Sequence, residues 1–336
     1  MNNVSLLNKK NNFSILRFSI LFCFIFLLSY YLELDNINAT ENSGIIELSS
    51  PLRDMAFNIF NNEIVGISTQ GSFLEKIDAT TNKMINLTNL PFQPLAIATY
   101  PIGSAVYILA PEPNTTNSKI YVYNNGQPTS SILLNGKALS MAFNQDTSKL
   151  YITFPDKILL IDPKTQQSIA VIPSNQSQGK IIFNSYDNNM YVLNRNSDTV
   201  SKINTQFNFI SDIIPVGDSL FDIAFNPINK MVYVTSGEPS SVYIIDPEKN
   251  KVIEKINIGK SDTNLLVFNP VDKNMYVFSQ YFIYVIDSFT HMISEILPLN
   301  VPHGIDAILF NPFNKLIYMA TSEPNLILYK YFNSKS

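Results

Sequence analysis

The stretch 223–246, IAFNPINKMVYVTSGEPSSVYIID, recurs in plan seven times from Met55 onward, and this periodicity limits the possible folds more than any other feature of the chain. An anchor asparagine stands at Asn58, Asn144, Asn184, Asn226, Asn269 and Asn311, with Tyr100 in the second slot, giving spacings of 42, 44, 40, 42, 43 and 42 residues. Seven positions after each anchor come Val65, Tyr107, Tyr151, Tyr191, Tyr233, Tyr276 and Tyr318. Periods of this length belong to solenoids, propellers and arrays.

Within a repeat, four short runs rich in Val, Ile, Tyr and Phe are separated by Pro, Asn, Asp, Gly and Ser, which is the pattern of strands and turns. In the fifth repeat they fall at 222–225, 231–235, 241–245 and 251–258, and no helical period of similar strength follows residue 40. Four strands per unit and seven units predict an all-β, seven-bladed β-propeller. The last repeat supplies only three runs, at 307–310, 316–320 and 325–331, whereas a spare run at 45–48 precedes the first repeat. The spare strand matches the missing one. Pairing them makes the N-terminal strand the outer edge of the last blade and closes the ring, which removes an open apolar face.

The connection between first and second strands reads Asn226-Pro227-Ile228-Asn229-Lys230, and again Asn269-Pro270 and Asn311-Pro312. Asparagine at the first turn position accepts backbone N–H bonds and proline presets φ at the next, so these asparagines are expected to be turn caps. Asp78, Asp162, Asp246 and Asp287, between third and fourth strands, are expected to do the same and not to ligate metal. The connections between second and third strands vary most, for example 111–118 (PEPNTTNS), and variable loops on a repeated scaffold usually carry binding specificity.

Composition narrows function by exclusion. A net charge of −4 with 15% charged residues and no basic stripe argues against a nucleic-acid partner. Cys23 is the sole cysteine, and the histidines are His291 and His303, so no disulfide and little zinc, copper or haem chemistry is expected. No cofactor is expected either.

Residues 1–17 carry Lys9, Lys10 and Arg17 and lead into a continuous apolar run at 18–32 (FSILFCFIFLLSYYL). Fifteen residues suit a signal-peptide core, and extension to 15–34 approaches the length of a membrane-spanning helix, so 1–39 reads as a signal peptide or a retained anchor. A cleavage site after Ala39 and a retained helix are both compatible with the residues. Either arrangement exports the propeller, residues 40–336, and leaves the cationic flank inside. Cys23 lacks the small preceding residues of a lipid-attachment site. Asn38, Asn86, Asn114 and Asn175 each begin an Asn-x-Ser/Thr sequon.

In a propeller the first strands line a central channel and their beginnings ring its mouth. Four or five positions before the anchors stand Arg53, Asp54, Lys180, Asp222, Asn264 and Asp306, the candidate ligand-binding set. Carboxylates and amides there suit a polar ligand or a hard cation, although such residues also arise as mouth groups satisfied by water and by one another.

Tyr233-Val234-Thr235-Ser236, Tyr191-Val192-Leu193-Asn194 and Tyr276-Val277-Phe278-Ser279, together with the Asn-Pro turn and the later Ile-Asp, resemble the YVTN family of β-propeller repeats over residues 44–332. Val65 and Tyr100 depart from its pattern in the first two repeats. The resemblance implies an exported or surface-layer-associated protein and is weak on activity, since propellers host binding, scaffolding and catalysis. Two function classes follow: a non-catalytic binding or scaffold module at the cell surface with a protein or cell-envelope partner, or a propeller enzyme of the lactonase, lyase or quinoprotein type. The near absence of histidine, and of any Gly-rich phosphate loop or Gly-x-Ser-x-Gly elbow, favours the first.

Overall fold

A computed structural model describes residues 42–68, 70–174, 178–237, 240–259, 265–299, 301 and 304–329. The apolar run at 18–32, Cys23, Asn38, Asn175, Asn264 and His303 lie outside the described residues. Residues from Asn42 onward form one compact unit of seven four-stranded antiparallel sheets. Blades 1 to 6 occupy 52–89, 96–134, 140–173, 178–215, 220–257 and 265–298, each with its strands in chain order from the channel outward. In the fifth the strands are Leu220–Phe225, Val232–Ser236, Ser241–Asp246 and Lys251–Asn257, close to the runs read from the sequence.

Blade 7 takes Ile305–Phe310, Ile317–Thr321 and Asn325–Tyr329 from the C-terminal end and Asn42–Glu47 from the N-terminal end, in the order that the strand count predicts. The register carries the argument further. In blades 1 to 6 the outermost strand holds one extra residue near its start, opposite pairs such as Ile244 and Ile245. The N-terminal strand pairs Gly44 with Leu328 and Asn42 with Tyr329, skipping residue 43 at the equivalent place. The closing strand therefore reproduces the bulge of a covalently continuous blade.

Second and third strands are buried on both faces, as Val232–Ser236 and Ser241–Asp246 show, so they read as continuous apolar runs; the outer strands alternate and face solvent on one side. Seven apolar clusters fill the seven blade interfaces, including one between blades 7 and 1 built from Ile46, Leu48, Leu52, Met55, Tyr318 and Leu326. The recurrent tyrosine explains itself here. Its ring packs on the following blade, and its hydroxyl turns back to the residue four positions earlier: Tyr191 donates to Asp187 (2.7 Å) and Tyr276 to Asp272 (2.6 Å), while Asn229 and Asn314 donate to Tyr233 (2.7 Å) and Tyr318 (2.6 Å). Burial drives the Tyr233 and Tyr151 phenols up to about 12.

The anchors cap their turns. Asn226 Oδ1 accepts the N–H groups of Ile228 (2.9 Å) and Asn229 (3.4 Å), and the turn ends at Lys230 in the left-handed region, φ 66°. Where Tyr100 replaces the anchor, the backbone bond to Ala105 persists (2.9 Å) and the ring packs on Phe143 (5.6 Å). Blade 2 thus keeps its sheet with aromatic packing in place of a side-chain cap.

Candidate functional site at the channel mouth

The first strands begin at the mouth with an irregularity that their sequences do not announce. Register shifts fall between Leu52 and Asp54, Gln178 and Ile181, Leu220 and Asp222, and Ile305 and Ala307. A bulge re-aims the side chains beside it, and five of the six predicted mouth residues lie in or next to these four bulges: Arg53, Asp54, Lys180, Asp222 and Asp306. The sixth, Asn264, is outside the described residues.

Asp222 is buried, with 2% of its surface exposed, and both carboxylate oxygens are occupied. Oδ1 accepts the N–H of Ile223 (2.8 Å) and the Lys180 ammonium (2.5 Å); Oδ2 accepts the N–H of Leu266 (2.9 Å) at the start of blade 6. Its own N–H donates to Thr235 Oγ1 (3.1 Å). Asp54 repeats the arrangement one joint after the seam, with Oδ1 accepting from Met55 (2.9 Å) and Oδ2 from Ile97 of blade 2 (3.1 Å). Each carboxylate is a bridge between the innermost strands of neighbouring blades. Burial raises the Asp54 carboxyl above the usual carboxylate range, opposed by the Ile97 amide and then by the Lys180 charge, which reaches it from blade 4.

The remaining predicted residues face solvent. Arg53 is exposed and donates through Nε to Leu95 O (3.1 Å); Asp306 is exposed and accepts from Ser322 (3.1 Å). Lys180 keeps 45% of its side chain exposed while it holds Asp222. So the structure brings Lys180 and Asp222 into contact, couples Asp54 to them through charge, and leaves Arg53 and Asp306 on their own backbone and hydroxyl partners. Arg195, from the second-to-third-strand loop of blade 4, joins the mouth: its guanidinium donates to Phe221 O (3.2 Å) and lies 5.8 Å from that ring. Its position in a variable loop was the only signal for it.

The aspartates between third and fourth strands are turn caps, as expected. Asp287 Oδ1 accepts from Thr290 (2.7 Å) and Phe289 (2.9 Å), which pulls its carboxyl below the ordinary range, and Asp78 is lowered by the Thr81 amide in the same way. Among the described residues no three His, Cys, Asp or Glu side chains converge as a metal site would require. Of the sequons, Asn114 sits in an exposed mouth-side loop and Asn86 on an exposed outer strand.

No protein-family model matches the chain, and no curated protein matches it in sequence. Among solved structures it is similar to a chain of Kuenenia stuttgartiensis hydrazine synthase, with a TM-score of 0.71 over 85% of this chain and 97% of the other at 14% identity. At that identity the likeness is one of fold, the seven-bladed propeller.

Proposed function

We propose that the protein is an exported, non-catalytic β-propeller of the YVTN type that serves as a binding or scaffold module at the cell surface, brought there by residues 1–39. One observation carries the reading. The two mouth carboxylates Asp54 and Asp222 each hold one amide of their own strand and one of the next blade, the arrangement of a structural bridge between blades. What the mouth offers to solvent is Arg53, Lys180 and Arg195, with Asp306 on the rim. Such a surface suits a partner group bearing carboxylate or phosphate, held by charge-assisted bonds.

The test has two arms. Protease added to intact cells is expected to reach the repeats while a cytoplasmic control survives; protection of both means that the propeller is not displayed. Capture from intact envelope by the wild-type chain is expected to be lost in the Arg53→Ala/Arg195→Ala variant. Unchanged capture moves the site away from the cationic mouth, to the second-to-third-strand loops of the other blades.

A further inference from the structure

The face opposite the mouth carries a regularity that its turns do not need. Two residues after the anchors stand Phe60, Ile102, Tyr186, Ile228, Val271 and Phe313, with Asp146 in blade 3. In five of these six turns the position contributes its backbone N–H to the anchor oxygen, a task open to any residue but proline. Yet all six side chains are large, apolar or aromatic, and exposed, Phe60 at 66% and Phe313 at 54%. Blade 6 adds Phe289 and Met292 on its outer turn of the same face, at 72% and 70%. Among the described residues the mouth side exposes fewer of comparable size, Tyr281 and Phe282 in the loop of blade 6 and Leu133 near the end of an outer strand. Single exposed apolar residues need no explanation, whereas the same exposed apolar position in six of seven turns on one face points to an interaction surface.

Two further observations identify the occupant. Lys230, Lys273 and Lys315 occupy the left-handed position that ends the same turns in blades 5 to 7, at φ 66°, 66° and 62°, and the Lys230 ammonium lies 4.2 Å from the Tyr186 ring. Lysines beside apolar and aromatic side chains at one level are the composition of a bilayer-interface belt, with stems in the apolar layer and ammonium groups at the headgroups, where Asp146, Asp187, Asp272 and Glu248 of the same face also lie. The chain also joins the propeller on this face. Asn42 pairs with Tyr329, at the turn side of blade 7. The nine residues 33–41 separate the apolar run from that point, a reach of at most about 30 Å.

We propose that this face rests on a lipid bilayer, its apolar ring at the boundary of headgroups and acyl chains and its lysines at the headgroups. The proposal rests on the reading that residues 1–39 deliver the chain to a membrane, and it adds that the propeller itself touches lipid in a fixed orientation, mouth outward.

The experiment uses the full chain with Cys23→Ser and one introduced cysteine, Ile228→Cys or Phe289→Cys on this face or Thr116→Cys on the mouth face, each labelled with bimane. The protein is mixed with vesicles of equal parts phosphatidylcholine and phosphatidylglycerol whose acyl chains are brominated. Flotation with the vesicles, loss of fluorescence at 228 and 289, and no loss at 116 are expected. Flotation without quenching at 228 and 289, or equal quenching at all three, overturns the orientation alone; failure to float overturns membrane delivery with it. Exclusion of aqueous iodide from 228 without bromolipid quenching assigns the ring to a protein contact and also overturns the proposal.

Discussion

Two joints of the ring differ in how the chain reaches them. Blades 5 and 6 follow one another in sequence, whereas blades 7 and 1 meet across its ends. At the continuous joint Asn226 Nδ2 donates to Ser288 Oγ (2.6 Å) and Asn229 Nδ2 to Ser288 O (2.8 Å) and Tyr233 (2.7 Å). At the seam Asn311 Nδ2 donates to Ala79 O (2.8 Å), and Asn314 Nδ2 to Ala79 O (3.0 Å) and Tyr318 (2.6 Å). The same positions are used at both joints, but the seam adds bonds to Asn82 of blade 1, from Asn314 Nδ2 (2.9 Å) and from the Tyr318 hydroxyl. Closure therefore uses the positions of the repeat, with the Asn82 bonds added where the ends meet. The joints also differ in their carboxylates. Asp222 bridges the first strands of blades 5 and 6, but its equivalent in blade 7 is Ala307, and the seam instead places Glu75, fully buried, against the Ser49 amide (3.0 Å) of the segment that follows the closing strand.

Removing the closing strand breaks the comparison most severely. A chain that starts at residue 51 loses Ile46 and Leu48 from the seam cluster, about 3–6 kcal/mol from two buried aliphatic side chains. It also exposes Asn325–Tyr329 as an unpaired edge. Against a total stability of about 5–15 kcal/mol, the expected outcome is aggregation or a much lower melting temperature than that of a chain starting at residue 40. Equal melting of the two means that the termini do not share a blade.

Asp222→Ala is expected to cost about 3 kcal/mol in urea unfolding, since it strands the Ile223 and Leu266 amides beside Lys180. The same change at the more exposed Asp54 is expected to cost less. The tyrosine hydroxyls separate the joints: Tyr233→Phe is expected to lose about 1 kcal/mol and Tyr318→Phe about 2 kcal/mol, because the Tyr318 hydroxyl also donates to Asn82 of blade 1, and equal losses show that the added bond contributes nothing.

Glu75 gives the smallest effect and the seam's own signature. Burial raises its carboxyl, opposed by the Ser49 and Ser50 amides. A carboxyl whose folded value lies above its unfolded one supports folding fully below the unfolded value, near 4.5, and loses that support as pH rises through the folded one. Glu75→Gln keeps an acceptor for Ser49 and never ionises, so it is expected to be more stable than wild type at neutral pH, with the gap closing below about pH 4.5. Thermal melts across that range read the difference.

Much of this architecture was legible because it repeats. The Asn anchors, the Asp caps and the tyrosine slot recur in nearly every blade, so their structural role is stated several times in one chain. The missing fourth run of the last repeat was equally readable as a strand count. The Asp54 and Asp222 bridges were not. They occur in two blades of seven, and their partners Ile97 and Leu266 contribute only backbone, which carries no residue signal, so the residue pattern places both at the mouth without showing what they bind. The bulges were hidden for the same reason, being a matter of register. Arg195 reaches the mouth from a loop whose sequence no other repeat shares.

The central claim is that the N-terminal strand closes the ring in one register, Glu47 opposite Asn325. The direct test is a Cys23→Ser chain carrying Glu47→Cys and Asn325→Cys, oxidised and run without reductant, with directly opposed residues in an antiparallel pair about 4.5–5.5 Å apart between Cα atoms, within disulfide reach. The account predicts an intramolecular disulfide, seen as a monomer of faster mobility that melts higher than its reduced form. Free thiols in the folded protein, or disulfide-linked dimers alone, would contradict it.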